Sequence, residues 1–209
     1  MSHLRLLLVS LGLALSGCSG LLRSTTPPLQ LYVVQAPPAV TVNAPTGPTL
    51  RIARPLPAPG LNTDRIALTR PGNRLDYYAG ARWSGPLNDV VLDLQLAAFR
   101  ADPVWSAVVD ERGTLNSDYL LQTSVDRFAA EYATETAPPT IRVDLHCELI
   151  RRSDGVLIGS FAVRQSQQAQ ANRMAAVVAA FSQVADQAVL LVAAQADQLL
   201  RSAKSPAVP

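Results

Sequence analysis

The chain has 209 residues, of which 48% are hydrophobic and 16% are charged. Its 18 basic and 16 acidic residues give a formal charge of +2. This balance argues against a nucleic-acid-binding surface, a polybasic membrane anchor and an acidic partner-binding tail. The length suits one domain of ordinary size with short flanking segments.

The first 17 residues have the layout of a signal peptide. Arg5 supplies a positive charge, residues 6–15 form an apolar run too short to span a bilayer, and Ser16 and Gly17 precede Cys18. Small residues before a cysteine resemble the bacterial lipobox, which implies that Cys18 is the lipid attachment site. The alternative is an ordinary signal peptide with an incidental cysteine. Ser19 stands where inner-membrane lipoproteins have aspartate, which implies the outer membrane.

The remaining cysteine, Cys147, has no intramolecular partner if Cys18 bears lipid. A lone thiol in an oxidising compartment is best buried, and apolar residues surround Cys147 in the sequence. A single thiol and His146 are too few for a Cys/His metal site. No glycine loop that would bind a phosphate is present either. We therefore predict neither a metal site nor a cofactor.

Residues 18–28 form a polar tether, and the ordered domain is predicted to begin at residue 29. Strands are predicted at 29–34 and 49–53, separated by a proline-rich loop. Prolines 55, 57 and 59 break the chain after the second strand.

A β-hairpin is predicted next. Residues 65–69 and 75–79 are its strands, and Pro71-Gly72-Asn73 supplies the turn. A helix is expected to follow, with Ser84 as its capping residue and Pro86 in its first turn.

Two helices and four strands are predicted in the rest of the chain. Apolar residues recur at helical spacing over 87–100 and again from Asn172, the expected capping residue, to about residue 200. Strands are predicted at 104–109, 118–128, 141–150 and 156–165, and the strand at 141–150 has one apolar and one polar face. This order predicts an α+β fold, with a mostly antiparallel sheet and two main helices packed on one face. Residues 203–209 form a flexible tail.

The hairpin segment resembles a known family. Tyr77-Tyr78, then Arg82-Trp83, then Pro86 and an amphipathic helix resemble the ABC-type transport auxiliary lipoproteins, which include the lipoprotein of the paraquat-inducible intermembrane transport system. The resemblance covers residues 29–200. It implies one auxiliary lipoprotein domain, 29–202, anchored on the periplasmic side of the outer membrane.

The resemblance also implies partners and a role. An MCE-domain protein forms a conduit for lipid, an inner-membrane component stands behind it, and the lipoprotein docks the conduit at the outer membrane. Tyr77, Tyr78, Arg82 and Trp83 are the candidate partner-contact residues. The structural alternative is that the aromatic residues are simply core or half-buried side chains with satisfied polar tips.

Three further interpretations stay open at this point. A stand-alone lipid or envelope-polymer carrier requires an enclosed apolar cavity. Asp144, His146 and Glu148 have the residue types for acid-base catalysis, but any solvent-facing strand shows the same spacing and no nucleophile accompanies them, so we expect no enzyme. A homo-oligomer is expected through the alanine-rich flank of residues 174–200 or through the hairpin.

Overall fold

A computed structural model describes residues 28–35 and 46–204. The predicted signal peptide, Cys18, most of the tether and much of the first proline-rich loop lie outside these residues. The strands are β1 Gln30–Tyr32, β2 Thr49–Ile52, β3 Leu56–Pro57, β4 Arg65–Arg70, β5 Arg74–Trp83, β6 Ala107–Val109, β7 Tyr119–Glu131, β8 Thr140–Arg151 and β9 Leu157–Gln168. The helices are α1 Leu87–Arg100 and α2 Met174–Lys204.

Strand β7 is the centre of the sheet. On one side it pairs antiparallel with β8 over its whole length, and β8 pairs in turn with β9. On the other side β2, β3 and β4 pair with successive parts of β7, all in parallel. Strand β4 forms the predicted hairpin with β5, while β1 and β6 lie at the sheet edges, against β5 and β2.

The fold class agrees with the prediction. The long pairings, β7 with β8, β8 with β9 and β4 with β5, are antiparallel, and the parallel pairings are short. Both helices pack on one face of the sheet and also on each other. The interior between the sheet and the helices is filled by large side chains, including Trp83, Phe99, Phe128 and Phe181, each at most 2% exposed.

The predicted strand at 141–150 shows why the pattern is informative. Within β8 every second residue is buried, and this buried row includes Cys147 at 0% exposure. Burial raises the pKa of the Cys147 thiol to about 11, so the thiol stays protonated and unreactive near neutral pH. The prediction of a buried, unpaired Cys147 is confirmed.

Both predicted helix caps are wrong. Helix α1 begins at Leu87 as predicted, but Pro86 occupies the capping position and no side chain caps the helix. Asn172 does not cap α2 either. Its side-chain Oδ1 accepts a hydrogen bond from Tyr132, and the first backbone bonds of the helix run to the carbonyl oxygen of Arg173.

Helix α2 is long and apolar enough, by length and composition alone, to cross a membrane. Its packing accounts for that composition, because it lies on β8 and β9 and buries Phe181, Val184 and Val192 in the core. Half of its ten alanines are also used there: Ala180, Ala185, Ala188, Ala193 and Ala196 are buried. The buried half of the alanines therefore serves close packing inside the domain, and the other half lies outside the core.

Candidate functional site: the tyrosine groove

The four predicted partner-contact residues lie on β5, but their side chains face three different parts of the molecule. Trp83 points into the core and is 2% exposed. Its ring meets Phe128 and Phe181 edge to face, with centroid distances of 5.9 Å and 5.1 Å. Trp83 is therefore a packing residue rather than a contact residue.

A wide bulge in β5 separates the other aromatic residues. Tyr77 pairs with Ala67 of β4 and Arg82 pairs with Arg65, so the four residues 78–81 stand opposite the single residue Ile66. Gly80 adopts a φ of +67°, a conformation that favours glycine. The bulge moves this part of β5 away from regular pairing and exposes one side of it.

The bulge forms one wall of an open groove of about 450 Å³, which we call the tyrosine groove. The start of α2 and the chain just before β1 complete it, and its lining is more apolar than polar. It is lined by Pro28, Gln30, Tyr78, Ala79, Gly80, Ala81, Tyr132, Asn172, Arg173, Met174 and Val177.

A chain of hydrogen bonds holds the polar end of the groove. The Tyr132 hydroxyl donates to Asn172 Oδ1 at 2.8 Å, which leaves the Tyr78 hydroxyl to donate to Tyr132 at 2.9 Å. The Asn172 amide lies 3.4 Å from the carbonyl oxygens of Glu135 and Thr136. Burial, and then the bond to Tyr132, raise the pKa of Tyr78 above its ordinary value. The Tyr78 hydroxyl is thus neutral, and hydrogen bonds fix both hydroxyls, which suits positioning rather than proton transfer.

Tyr77 and Arg82 lie on the opposite face of the sheet, away from the helices. The Tyr77 hydroxyl donates to the carbonyl oxygen of Gly60 at 2.8 Å, and the guanidinium of Arg65 lies over the Tyr77 ring at 3.8 Å. Arg82 forms an ion pair with Asp64 at 2.7 Å. The two tyrosines therefore belong to two different surfaces, as expected for adjacent strand residues.

The Asp144, His146 and Glu148 set does not form a catalytic arrangement. His146 and Glu148 line an open groove of about 630 Å³ on the outer face, with Nε2 to Oε1 separated by 3.9 Å. Asp144 is not among the residues lining this groove, and its carboxylate lies 3.7 Å from the Arg127 guanidinium. Ser124 stands across from His146, but no hydrogen bond joins them in the described part of the chain.

Of the residues that line the tyrosine groove, only Tyr78 was predicted from the sequence as a candidate contact residue. Tyr132, Asn172 and Met174 come from distant parts of the chain, and only the fold brings them to Tyr78. One usable signal was Tyr132 itself, an aromatic residue just beyond a long strand. No group of three or more His, Cys, Asp or Glu residues that could hold a metal occurs among the residues described.

Solved structures share this fold. Protein XCC0632 from Xanthomonas campestris is 26% identical, with a TM-score of 0.72 over 83% of this chain and 98% of that chain. The hypothetical protein CT253 from Chlamydia trachomatis is 6% identical, with a TM-score of 0.54 over 75% and 99% of the two chains, and shows a likeness of fold alone. No curated protein matches the chain.

The fold defines an α+β domain with an open groove beside the bulge in β5. Residues 30–193 match the ABC-type transport auxiliary lipoprotein component family, and the chain belongs to that family. The family resemblance predicted from the hairpin is confirmed. The family is one of membrane-anchored envelope lipoproteins that assist transport, and it is not an enzyme family.

Proposed function

We propose that this protein is a periplasmic lipoprotein, anchored in the outer membrane through Cys18, that docks the MCE-domain conduit of a lipid transport system. An inner-membrane transport component completes the assembly. Membership of the auxiliary family supports a role beside a transporter, and the lipobox at Cys18 supports the anchor. The observation on which the docking role rests is the tyrosine groove.

The groove has the chemistry of a protein-binding surface. It is concave and mostly apolar, with the tyrosine hydroxyls and Asn172 at one end to fix orientation. Met174, a half-buried and flexible side chain, adds adaptable apolar contact. Pro28, where the tether enters the domain, lies at the groove, so a bound conduit end would be held near the anchor.

The alternative function, a stand-alone lipid or envelope-polymer carrier, has weaker support. A carrier shields its cargo inside an enclosed apolar cavity. Here the space between sheet and helices is occupied by Trp83, Phe128 and Phe181 in mutual contact, and the tyrosine groove is open to solvent. A homo-oligomer beneath the conduit stays a prediction, for which the exposed Leu190 and Leu191 of α2 offer surface.

An exposed alanine in the groove allows a sharp test. Ala79→Arg fills the groove from its rim, whereas Ala162→Arg places the same side chain on an exposed strand residue of β9 far from it. Tagged, lipidated protein is purified from solubilised membranes, and the MCE-domain protein is quantified by mass spectrometry. We expect the native protein and Ala162→Arg to retain the MCE-domain protein. The amount that co-purifies with Ala79→Arg should be at least 10-fold lower.

Two results would count against the proposal, and they differ in meaning. If the native protein never retains an MCE-domain protein, the docking function is wrong. If Ala79→Arg retains it as well as Ala162→Arg does, the docking surface lies elsewhere. Equal melting temperatures of the two variants are the control for folding.

A further inference from the structure

The edge strand β1 presents a row of exposed aliphatic side chains. Leu29, Leu31 and Val33 are 54%, 64% and 63% exposed. Leu31 lies within β1, and Leu29 and Val33 flank it at every second position, so in this extended segment the three side chains lie on one side, away from the core. Among the described residues β1 pairs only with β5, which leaves its other edge open. An exposed aliphatic row on an open sheet edge favours contact with another surface, so this row indicates an interaction site.

The sheet register extends this row into a larger face. Leu31 pairs with Arg82, and Arg82 pairs with Arg65, so the three side chains lie side by side across three strands. Asp64 neutralises Arg82, whereas Arg65 lies over the Tyr77 ring and has no carboxylate within ion-pair distance in the part of the chain that the structure describes. The face thus combines aliphatic residues, one tyrosine and an excess of positive charge.

We propose that this face lies against the anionic phospholipid surface of the membrane that holds the lipid anchor. We call it the β1 face; its residues are Leu29, Leu31, Val33, Arg65, Tyr77 and Arg82. The combination fits the boundary of a bilayer, where aliphatic side chains enter the acyl region, tyrosine lies at the headgroups and arginine meets phosphate. The inference deepens the proposed function and rests on it, because it assumes the anchor at Cys18.

Two observations favour a membrane over a second copy of the chain. Leu29 follows Cys18 by only eleven positions, so the anchor holds this face within about 37 Å of the bilayer even if the linking chain is fully extended. A symmetric contact between two copies would bring the Arg65 cation of each copy close to that of the other, whereas anionic lipid attracts it.

Contact of the β1 face with the membrane would also determine which way the tyrosine groove opens. The β1 face is on the outer side of the sheet, and the groove is on the helix side near the same edge. With the β1 face on the membrane, the groove opens away from the lipid. A partner arriving from the periplasm would therefore meet the groove directly.

A fluorophore at position 31 tests the orientation in the lipidated protein. Leu31→Cys and, as a matched control, Leu157→Cys at 51% exposure are labelled with an environment-sensitive dye. Buried Cys147 is inaccessible to the label and acylated Cys18 is blocked. In vesicles containing phosphatidylglycerol we expect a blue-shifted emission, quenched by nitroxide lipid, at position 31 and not at position 157. Identical spectra at the two positions would overturn the proposal.

A second experiment tests the β1 face in protein that lacks the lipid anchor. Chain starting at residue 19 is tested for flotation with phosphatidylglycerol vesicles and with phosphatidylcholine vesicles. The solved XCC0632 domain matches this fold over 98% of its own length, which supports independent folding of the domain. We expect Leu31→Asp and Arg65→Glu to reduce flotation with anionic vesicles at least 5-fold, and Leu157→Asp to leave it unchanged.

The outcomes separate the two proposals. Failure to incorporate labelled fatty acid at Cys18 contradicts the anchor, while flotation still reports on the β1 face. Normal acylation without lipid contact at position 31 contradicts the β1 face alone. A blue shift at position 31 that appears without vesicles and grows with protein concentration would identify a second copy as the occupant and overturn the membrane proposal.

Discussion

The two halves of the sheet are built on different plans. Strands β8 and β9 run beside β7 in long antiparallel ladders covered by α2. Strands β1 to β6 are mostly short, they pair partly in parallel, and β5 contains the wide bulge. The long-strand half supplies the start of α2 and Tyr132 to the tyrosine groove, and the short-strand half supplies the rest of the groove and the β1 face. Irregular pairing is what leaves side chains free to form surfaces.

The largest effect should come from the residue that links the two halves. Trp83 belongs to the short-strand half and packs on Phe128 and Phe181 of the other half. Trp83→Ala should lower the free energy of unfolding by about 3–5 kcal/mol. Arg82→Ala, which removes only a half-exposed ion pair, should cost about 0–1 kcal/mol. Chemical denaturation of both variants measures the difference, and equal large losses would make Arg82 a structural residue.

A smaller effect should depend on pH at the contact of α1 with α2. Burial, and then the neighbouring Asp102, raise the pKa of Asp197 to about 6, above its ordinary value of 3.8. The folded protein therefore holds a proton that the unfolded chain releases between about pH 4 and pH 6, so this group's contribution to stability is lost as pH rises through that window. Above pH 6 the buried carboxylate is charged and lowers the stability of the folded protein.

Asp197→Asn removes that titration. The variant should be more stable than the native protein at pH 7.5 by roughly 1–3 kcal/mol, and the difference should shrink at pH 4.5. Thermal unfolding of both proteins at the two pH values gives the comparison. A constant difference across this range would show that Asp197 does not titrate there.

The smallest effect compares one glycine from each half. Gly80 in the bulge and Gly155 in the turn between β8 and β9 have φ values of +67° and +71°, and an added Cβ would touch nothing within 4 Å at either position. Each change to alanine should cost about 1–2 kcal/mol of backbone strain. Gly80→Ala should also weaken retention of the MCE-domain protein, because it alters the groove wall. Denaturant melts and the purification assay check this, and equal retention by both variants would separate the bulge from docking.

The long-strand half of the sheet was predicted from the sequence more closely than the short-strand half. The strand at 141–150 and the helix at 87–100 were predicted closely, because alternation and helical spacing report burial on one side of one element. The two-residue β3 was missed, since Pro57 within it and the neighbouring Pro55 and Pro59 suppress any strand pattern, and its pairing with β7 is a tertiary contact. The hairpin was predicted, but its bulge was not.

The candidate site was only partly predictable for a related reason. Tyr78 and Trp83 were both named as candidate contact residues, yet Tyr78 lines the groove and Trp83 is buried, although both are large aromatic residues in one strand. The register of β5 decides between them, and the bulge that sets this register depends on Ile66 and Gly80 together. Tyr132 and Asn172 join the site through the fold alone.

The central position of β7 has a consequence for how the chain folds. Strands β2, β3 and β4 have no partner in β7 until residues 119–131 are available, which lie some 60 to 70 positions later. Contacts this distant in sequence form slowly, because a long loop must close before they contribute. Before β6 and β7 are made, β4, β5 and β1 can pair with one another, but β2 and β3 have no partner. The proposed acylation of Cys18 needs only the N-terminus and would precede completion of the sheet, so β2 and β3 would be unpaired beside the membrane during that interval.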